Sequence, residues 1–195
     1  MSTRTVRTPS HWPQEVIYLY TPSYASSLPP SLVSEIRGSK PSLQTPPCNQ
    51  VAIRSITTKD HPAVNQYGLF ATRNIAPNSQ ICYYLGEVHC ETRDSDYDLS
   101  LFRSQDGINV GIDASKMGNE GRFVNDYRGV QTKPNVVFKE ERTASGELRM
   151  SIWSASSKIR KGEEILISYG KSWWKARNAD SGARHGSHIE VKGSS

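Results

Sequence analysis

Cysteine is scarce in this sequence. Its three residues, Cys48, Cys82 and Cys90, are scattered and show no Cys-x-x-Cys spacing, which excludes a disulfide framework and a cysteine-built zinc cluster. Reduced thiols in the core or at the surface are expected instead. Histidine is also sparse, and His61 and His89 have no companions at ligand spacing. Both are read as structural or solvated side chains, and no metal site is expected. No apolar run approaches the roughly 20 residues that a bilayer span requires. The opening MSTRTVRTPSHWPQ has no apolar signal core. A soluble, intracellular protein without a membrane partner is the expectation. Long stretches of 3.6-residue periodicity and internal repeats are missing too, which argues against a helical bundle or a solenoid.

What is present points to one β-rich domain. A chain of 195 residues with 35% hydrophobic content can bury a single core of ordinary size. Short β-type segments follow one another between turns: VAIRSITT, YGLFATR, SQICYYLGEV, INVGIDA, NVVFKEE, LRMSIWSAS and EEILISYG. The stretch from Asn135 to Ala155 reads as a hairpin turning at Ala144-Ser145-Gly146-Glu147. From Thr21 to Pro47 the chain is rich in Pro and Ser, which favours extended or irregular backbone. The preceding WPQEVIYLY carries enough large apolar side chains to pack this arm onto the domain. The expected division is therefore an arm and linker over 1–47, the main domain over 48–177, and a polar, disordered tail over 178–195.

The net charge of +5 is spread along the sequence rather than gathered into a patch. Direct nucleic-acid binding is not expected from it, and a basic nucleic-acid binder stands only as a third reading.

Four motifs stand in a fixed order. Gln66-Tyr67-Gly68-Leu69-Phe70-Ala71 is followed by Tyr84-Leu85-Gly86-Glu87. Gly111-Ile112-Asp113-Ala114 leads into Gly118-Asn119-Glu120-Gly121-Arg122-Phe123-Val124-Asn125, with Pro134-Asn135 beyond. Ile159-Arg160-Lys161-Gly162-Glu163-Glu164-Ile165-Leu166-Ile167-Ser168-Tyr169-Gly170 comes last. Each alone is a common strand or turn pattern. In this order they resemble the SET-domain family of protein lysine methyltransferases, in a compact form without flanking cysteine-rich zinc clusters.

The resemblance implies a mainly β SET domain of several small curved sheets with a pseudo-knot and few short helices. It implies S-adenosyl-L-methionine as cofactor and the side-chain amine of a lysine in a protein, a histone tail being favoured, as substrate. It implies Tyr169 as the catalytic tyrosine and Tyr84 as the second active-site tyrosine. Tyr67, Gly68, Tyr97, Arg122, Phe123, Asn125 and Asp126 match the cofactor segments, and one of Trp173 and Trp174 is implied as the aromatic cap over adenine. A nuclear location is favoured over a cytoplasmic one, and the oligomeric state is not implied.

Elementary chemistry agrees with this assignment. Methyl transfer to lysine needs no protein nucleophile and no metal, only alignment, desolvation and a neutral amine. Lysine is normally protonated at pH 7, and an apolar channel lowers its pKa. Tyrosine supplies such a channel with an apolar ring, a directed hydroxyl and a face that favours a cationic methyl donor.

Several positions depart from the family pattern. Gln66 stands where the first glycine of the cofactor turn is usual, and Asp126 where histidine is usual. These two motivate an alternative expectation, a catalytically weak or inactive SET-like chromatin or protein-binding module. Ile167 stands two residues before Tyr169, where Phe or Tyr is common, and leaves the number of methyl groups open. The acidic run Asp94, Asp96, Asp98 lies in the short insert bordering the peptide groove and is a candidate attractor of a basic tail.

Overall fold

The computed structural model describes residues 8–169. Thirteen short strands, one α-helix and one 3-10 helix make up its regular elements. The strands are β1 (Ile17–Tyr18), β2 (Ser23–Tyr24), β3 (Val51–Ser55), β4 (Tyr67–Ala71), β5 (Gln80–Tyr84), β6 (Glu87–His89) and β7 (Asp98–Arg103). They continue with β8 (Asn109–Asp113), β9 (Met117–Gly118), β10 (Asn125–Asp126), β11 (Val136–Arg142), β12 (Leu148–Ser154) and β13 (Leu166–Ile167). The expected mainly β class, built of small sheets, is what the chain forms.

The strands are grouped into five sheets: β11-β12-β5, β2-β6-β8-β7, β3-β4, β1-β9 and β10-β13. Burial follows from position in the sheet. Strand β12 lies between β11 and β5 and buries Arg149, Met150, Ser151, Ile152 and Ser154. A strand covered on both faces loses the inside-outside alternation of a half-buried one. The expected hairpin is β11-β12, closed by a bond from the Thr143 amide to the Glu147 carbonyl (2.9 Å). Leu69, Ile75, Ile152, Ile159 and Ile165 form the fully buried centre that joins these small sheets.

The N-terminal arm is woven into the domain rather than laid over it. Strand β1 runs parallel to β9, and β2 runs parallel to β6. Part of the segment expected to be irregular is helical: α1 spans Pro30–Arg37. Proline at the first helical position removes an amide that would be unpaired anyway and brings a helix-ready φ. Leu32 and Ile36, one turn apart, then bury the same face. Gly38 ends the helix at φ 71°, and a Cβ there would come within 3.0 Å of the Gly146 backbone, so both conformation and space call for glycine.

A buried ion pair fixes the arm. Arg149 and Glu147 are 1% and 0% exposed, and the Arg149 Nε donates to Glu147 Oε2 at 2.7 Å. The remaining valences reach the arm. Arg149 Nη1 donates to Thr45 Oγ1 (2.7 Å) and Nη2 to the Leu43 carbonyl (2.6 Å), while Glu147 Oε1 accepts from the Tyr24 hydroxyl (2.7 Å) and from Ser42.

Strand β10 pairs in parallel with β13, Asn125 opposite Leu166 and Asp126 opposite Ile167. This is the contact on which the expected pseudo-knot depends, and just beyond it the Tyr169 amide donates to the Asp126 carboxylate at 2.8 Å. Among the described residues no helix is long and apolar enough to cross a membrane, and no group of three or more His, Cys, Asp or Glu side chains could hold a metal ion. All three cysteines are free thiols.

Candidate active site

Two cavities meet at Tyr169. The larger, about 790 Å³, is bordered by Tyr67, Arg122, Phe123, Asn125 and Asp126, with His11, Trp12, Pro13 and Glu15 of the arm along one side. The smaller, about 130 Å³, is walled by Tyr84, Leu99, Val124, Phe138 and Ser168. Asp96, Tyr97, Arg122 and Tyr169 line both. A wide chamber thus opens onto a narrow, largely apolar channel across a few shared side chains.

The tyrosines at this junction have fixed hydroxyls. Tyr169 OH donates to the Val124 carbonyl (2.8 Å), and Tyr84 OH donates to the Tyr97 carbonyl (2.7 Å). A phenol whose proton is committed to a carbonyl presents its oxygen as an acceptor. Burial, and after it the neighbouring Tyr169, raises the Tyr84 pKa well above the ordinary phenol value, so this hydroxyl keeps its proton. Phe138 meets the Tyr84 ring edge to face at 5.7 Å.

Arg122 braces the shared wall. Its guanidinium lies 4.2 Å from the centre of the Tyr97 ring, and its Nε donates to the Ala114 carbonyl at 2.9 Å. Phe123 stands edge to face with Tyr67 at 6.3 Å and with Trp12 at 5.8 Å. Trp12 is held in turn by a bond from its indole N–H to the Val16 carbonyl (2.7 Å).

Asn125 is oriented by two acceptors. Its side-chain nitrogen donates to Glu164 Oε1 (2.9 Å) and to the Tyr67 carbonyl (3.3 Å). Neither partner can donate, so the amide nitrogen must face them and Oδ1 is left available to the cavity. Gly68 permits this arrangement, since a Cβ there would lie 2.5 Å from Glu164 Oε1 and 3.1 Å from Asn125 Nδ2.

Two of the departures from the family pattern, Gln66 and Asp126, are accommodated locally. Gln66 does not take a positive φ; the left-handed residue in this turn is Asn65, at φ 66°. A side chain at position 66 therefore carries no backbone strain. The Asp126 carboxylate is turned away from isolation in the cavity. It accepts from Arg128 Nη1 (2.8 Å) and from the backbone amides of Arg128 (2.9 Å) and Tyr169 (2.8 Å). Arg128 offsets its charge, and the bond to Tyr169 ties the end of the last strand to β10.

The structure brings together Tyr67, Tyr84, Tyr97, Arg122, Phe123, Asn125, Asp126 and Tyr169, with Gly68 behind Asn125. Trp173 and Trp174 lie outside the described residues. Two residues were not assigned to the site from sequence. His61, only 9% exposed, pairs with Glu164 at 2.9 Å, and both lie beside the large cavity through His61 and Asn125. Glu164 carried a signal in the Glu163-Glu164 pair opening the last motif, whereas His61 carried none.

Near the channel, Asp113 organises the acidic insert. It accepts from the hydroxyls of Ser95 and Ser115 and from Arg93. Burial alone would raise its pKa, but these hydrogen bonds outweigh burial and hold it below the ordinary value. A depressed carboxyl contributes stability above its unfolded-state pKa and loses it as pH falls through the folded value. Thermal melts below about pH 4 are expected to fall less steeply for Asp113→Asn than for the wild type. Parallel curves would remove Asp113 from this role.

The fold and this pair of joined cavities define a class before any relative is considered: a small β domain with a cofactor-sized chamber and an aromatic side channel. The family model described as SET domain matches residues 66–170. The chain belongs to the SET-domain family. It is 34% identical over 116 residues to the histone-lysine N-methyltransferase set-2 of Caenorhabditis elegans, a match covering 54% of this chain and 7% of that protein. It is 36% identical over 114 residues to the H3 lysine-36 specific histone-lysine N-methyltransferase of Candida albicans, covering 53% and 12%. The chain therefore matches only a small part of the length of these relatives. Among solved structures, ATXR5 in complex with histone H3.1 mono-methylated on R26 superimposes with a TM-score of 0.57 at 19% identity, covering 80% of this chain and 81% of that one. That likeness is one of fold.

Proposed function

We propose that this protein transfers a methyl group from S-adenosyl-L-methionine to the side-chain amine of a lysine in a protein substrate. The observation that carries the reading is the meeting of the wide chamber and the narrow aromatic channel at Tyr97, Arg122 and Tyr169. The donor set fits the cofactor. The chamber volume lies within the roughly 300–1,000 Å³ of small-molecule sites, and Asn125 Oδ1 has no hydrogen bond among the described residues. That oxygen suits an ammonium group, and the faces of Tyr67 and Phe123 suit a nucleoside or a sulfonium. When bound, the cofactor supplies an electrophilic methyl group.

The protein's own residues supply alignment and a dry path. Asp96 and Asp98 line the channel and would attract the incoming ammonium. The apolar wall of Tyr84, Phe138, Leu99 and Val124 penalises its charge, so the amine gives up its proton to water and reacts neutral. The Tyr84 oxygen accepts an N–H of that amine and turns its lone pair toward the chamber. The Tyr169 oxygen, its proton committed to Val124, faces the transferring group as an acceptor. Asp126 holds Tyr169 in place through its amide.

Residues 48–177 are the catalytic unit in this reading, and 1–47 act as a strap whose Trp12 segment closes one side of the chamber. A histone tail is the favoured substrate, in keeping with the names of the relatives, and chromatin in the nucleus is the favoured workplace. The acidic insert around Asp94 and Asp96 would draw a basic tail to the channel mouth. Labelled S-adenosyl-L-methionine incubated with the protein and core histones is expected to label a histone lysine. Cofactor binding by calorimetry without labelling of histones or cell extract would instead favour the non-catalytic module.

A further inference from the structure

The hydrogen bonds of Glu164 reach behind the residues that line the larger cavity. Glu164 is 7% exposed and sits in the segment that bridges to β4, where the Ile165 amide donates to the Leu69 carbonyl at 2.7 Å. Its two oxygens serve two different side chains. Oε1 accepts from Asn125 Nδ2 (2.9 Å), and Oε2 pairs with His61 Nε2 (2.9 Å). The His61 tautomer is set by its other nitrogen. Nδ1 accepts the Ala63 amide at 3.0 Å, so the ring hydrogen resides on Nε2 and is donated to Glu164.

A carboxylate placed between two donors can only accept, and this fixes the orientation of both. We propose that Glu164, held by His61, is a positioning residue that locks the Asn125 amide with its oxygen toward the α-ammonium of the cofactor. The inference rests on the reading of the larger cavity as the S-adenosyl-L-methionine site. Glu164 touches neither cofactor nor substrate in this scheme. It acts through Asn125, and Gly68 is the space that lets it do so. The loop carrying His61, which itself borders the larger cavity, thereby takes part in cofactor selection through Glu164 as well.

Glu164→Gln keeps the volume and frustrates the network. Its amide NH₂ must face either Asn125, forcing that amide to turn its own nitrogen to the chamber, or His61, where Nε2–H already points. Calorimetry on the full chain, with S-adenosyl-L-methionine and with methylthioadenosine, which lacks the amino-acid portion, separates positioning from folding. Glu164→Gln is expected to weaken S-adenosyl-L-methionine roughly tenfold, the scale of one misdirected charge-assisted hydrogen bond, while methylthioadenosine binding is unchanged. His61→Ala, which removes the partner of Glu164 Oε2, is expected to shift the same ratio in the same direction by less. Equal losses for both ligands in either variant, or no loss for either ligand, would overturn the proposal while leaving the cofactor site intact. A wild-type protein that binds neither ligand would overturn the cofactor reading and this proposal with it.

Discussion

Replacing Tyr169 with phenylalanine is expected to lower the rate of methyl transfer by roughly a hundredfold or more, the usual cost of removing one preorganised polar group from a reacting centre. Tyr169 lines both cavities and commits its proton to the Val124 carbonyl, so its oxygen is held where the two reactants meet. The ring, the aromatic wall and the Asp126 bond to its amide all survive the substitution. Cofactor affinity should therefore change little and kcat should carry the loss, which single-turnover labelling alongside calorimetry would resolve. The Val124 carbonyl loses one donor, a cost of about 1 kcal/mol, so the melting temperature should move by only a few degrees. Undiminished labelling by Tyr169→Phe would take the catalytic role away from this hydroxyl.

Arg149→Ala is expected to have the largest effect on stability, about 3–5 kcal/mol, because it leaves a fully buried carboxylate without its counter-charge. Domains of this size are stable by only about 5–15 kcal/mol, so the variant should lie close to unfolding at 37 °C. Glu147 would retain the Tyr24 hydroxyl and Ser42, while Thr45 Oγ1 and the Leu43 carbonyl would lose their donors. The damage should thus appear first in the arm, as protease cleavage near 42–45 before the core opens. Arg149→Lys keeps the charge but not the three-way fork, and an intermediate urea midpoint is expected. Arm cleavage no faster than in the wild type would show that the network does not tether it.

Much of the fold was legible because its larger strands are short apolar runs with clear punctuation. Val51–Ser55, Tyr67–Ala71 and the β11-β12 hairpin are of this kind. Helix α1 was hidden by composition, since its proline is a helix starter at that one position and a breaker elsewhere. Strands β10 and β13 contain two residues each and have no periodicity of their own. Strand β13 lies inside the β-type segment EEILISYG, whereas only motif order points to β10, because its partner is set by long-range packing. The same limit explains the site. Tyrosine, asparagine and arginine positions were readable through their motifs, whereas the pairing of His61 with Glu164 joins residues 103 apart and leaves no local trace. The turn of Asp126 toward Tyr169, likewise, was not readable from its identity alone.

The weaving of the arm into the domain has a consequence for the order of events during synthesis. Tyr18 donates to Glu120, 102 residues later, and the Cys48 amide reaches the same carboxylate. The arm residues, made before these partners, must therefore wait unpaired for contacts formed much later. Strand β13 then has to join β10 before the Tyr169 amide meets Asp126, 43 residues away in sequence. Contacts of such separation carry a loop-closure cost before they return any stability, and chains dominated by them fold slowly. The chamber, bounded at one side by Trp12 and at the other by Tyr169, thus acquires its walls from both ends of the described chain, and a nascent chain halted short of β13 would hold neither a closed chamber nor a channel.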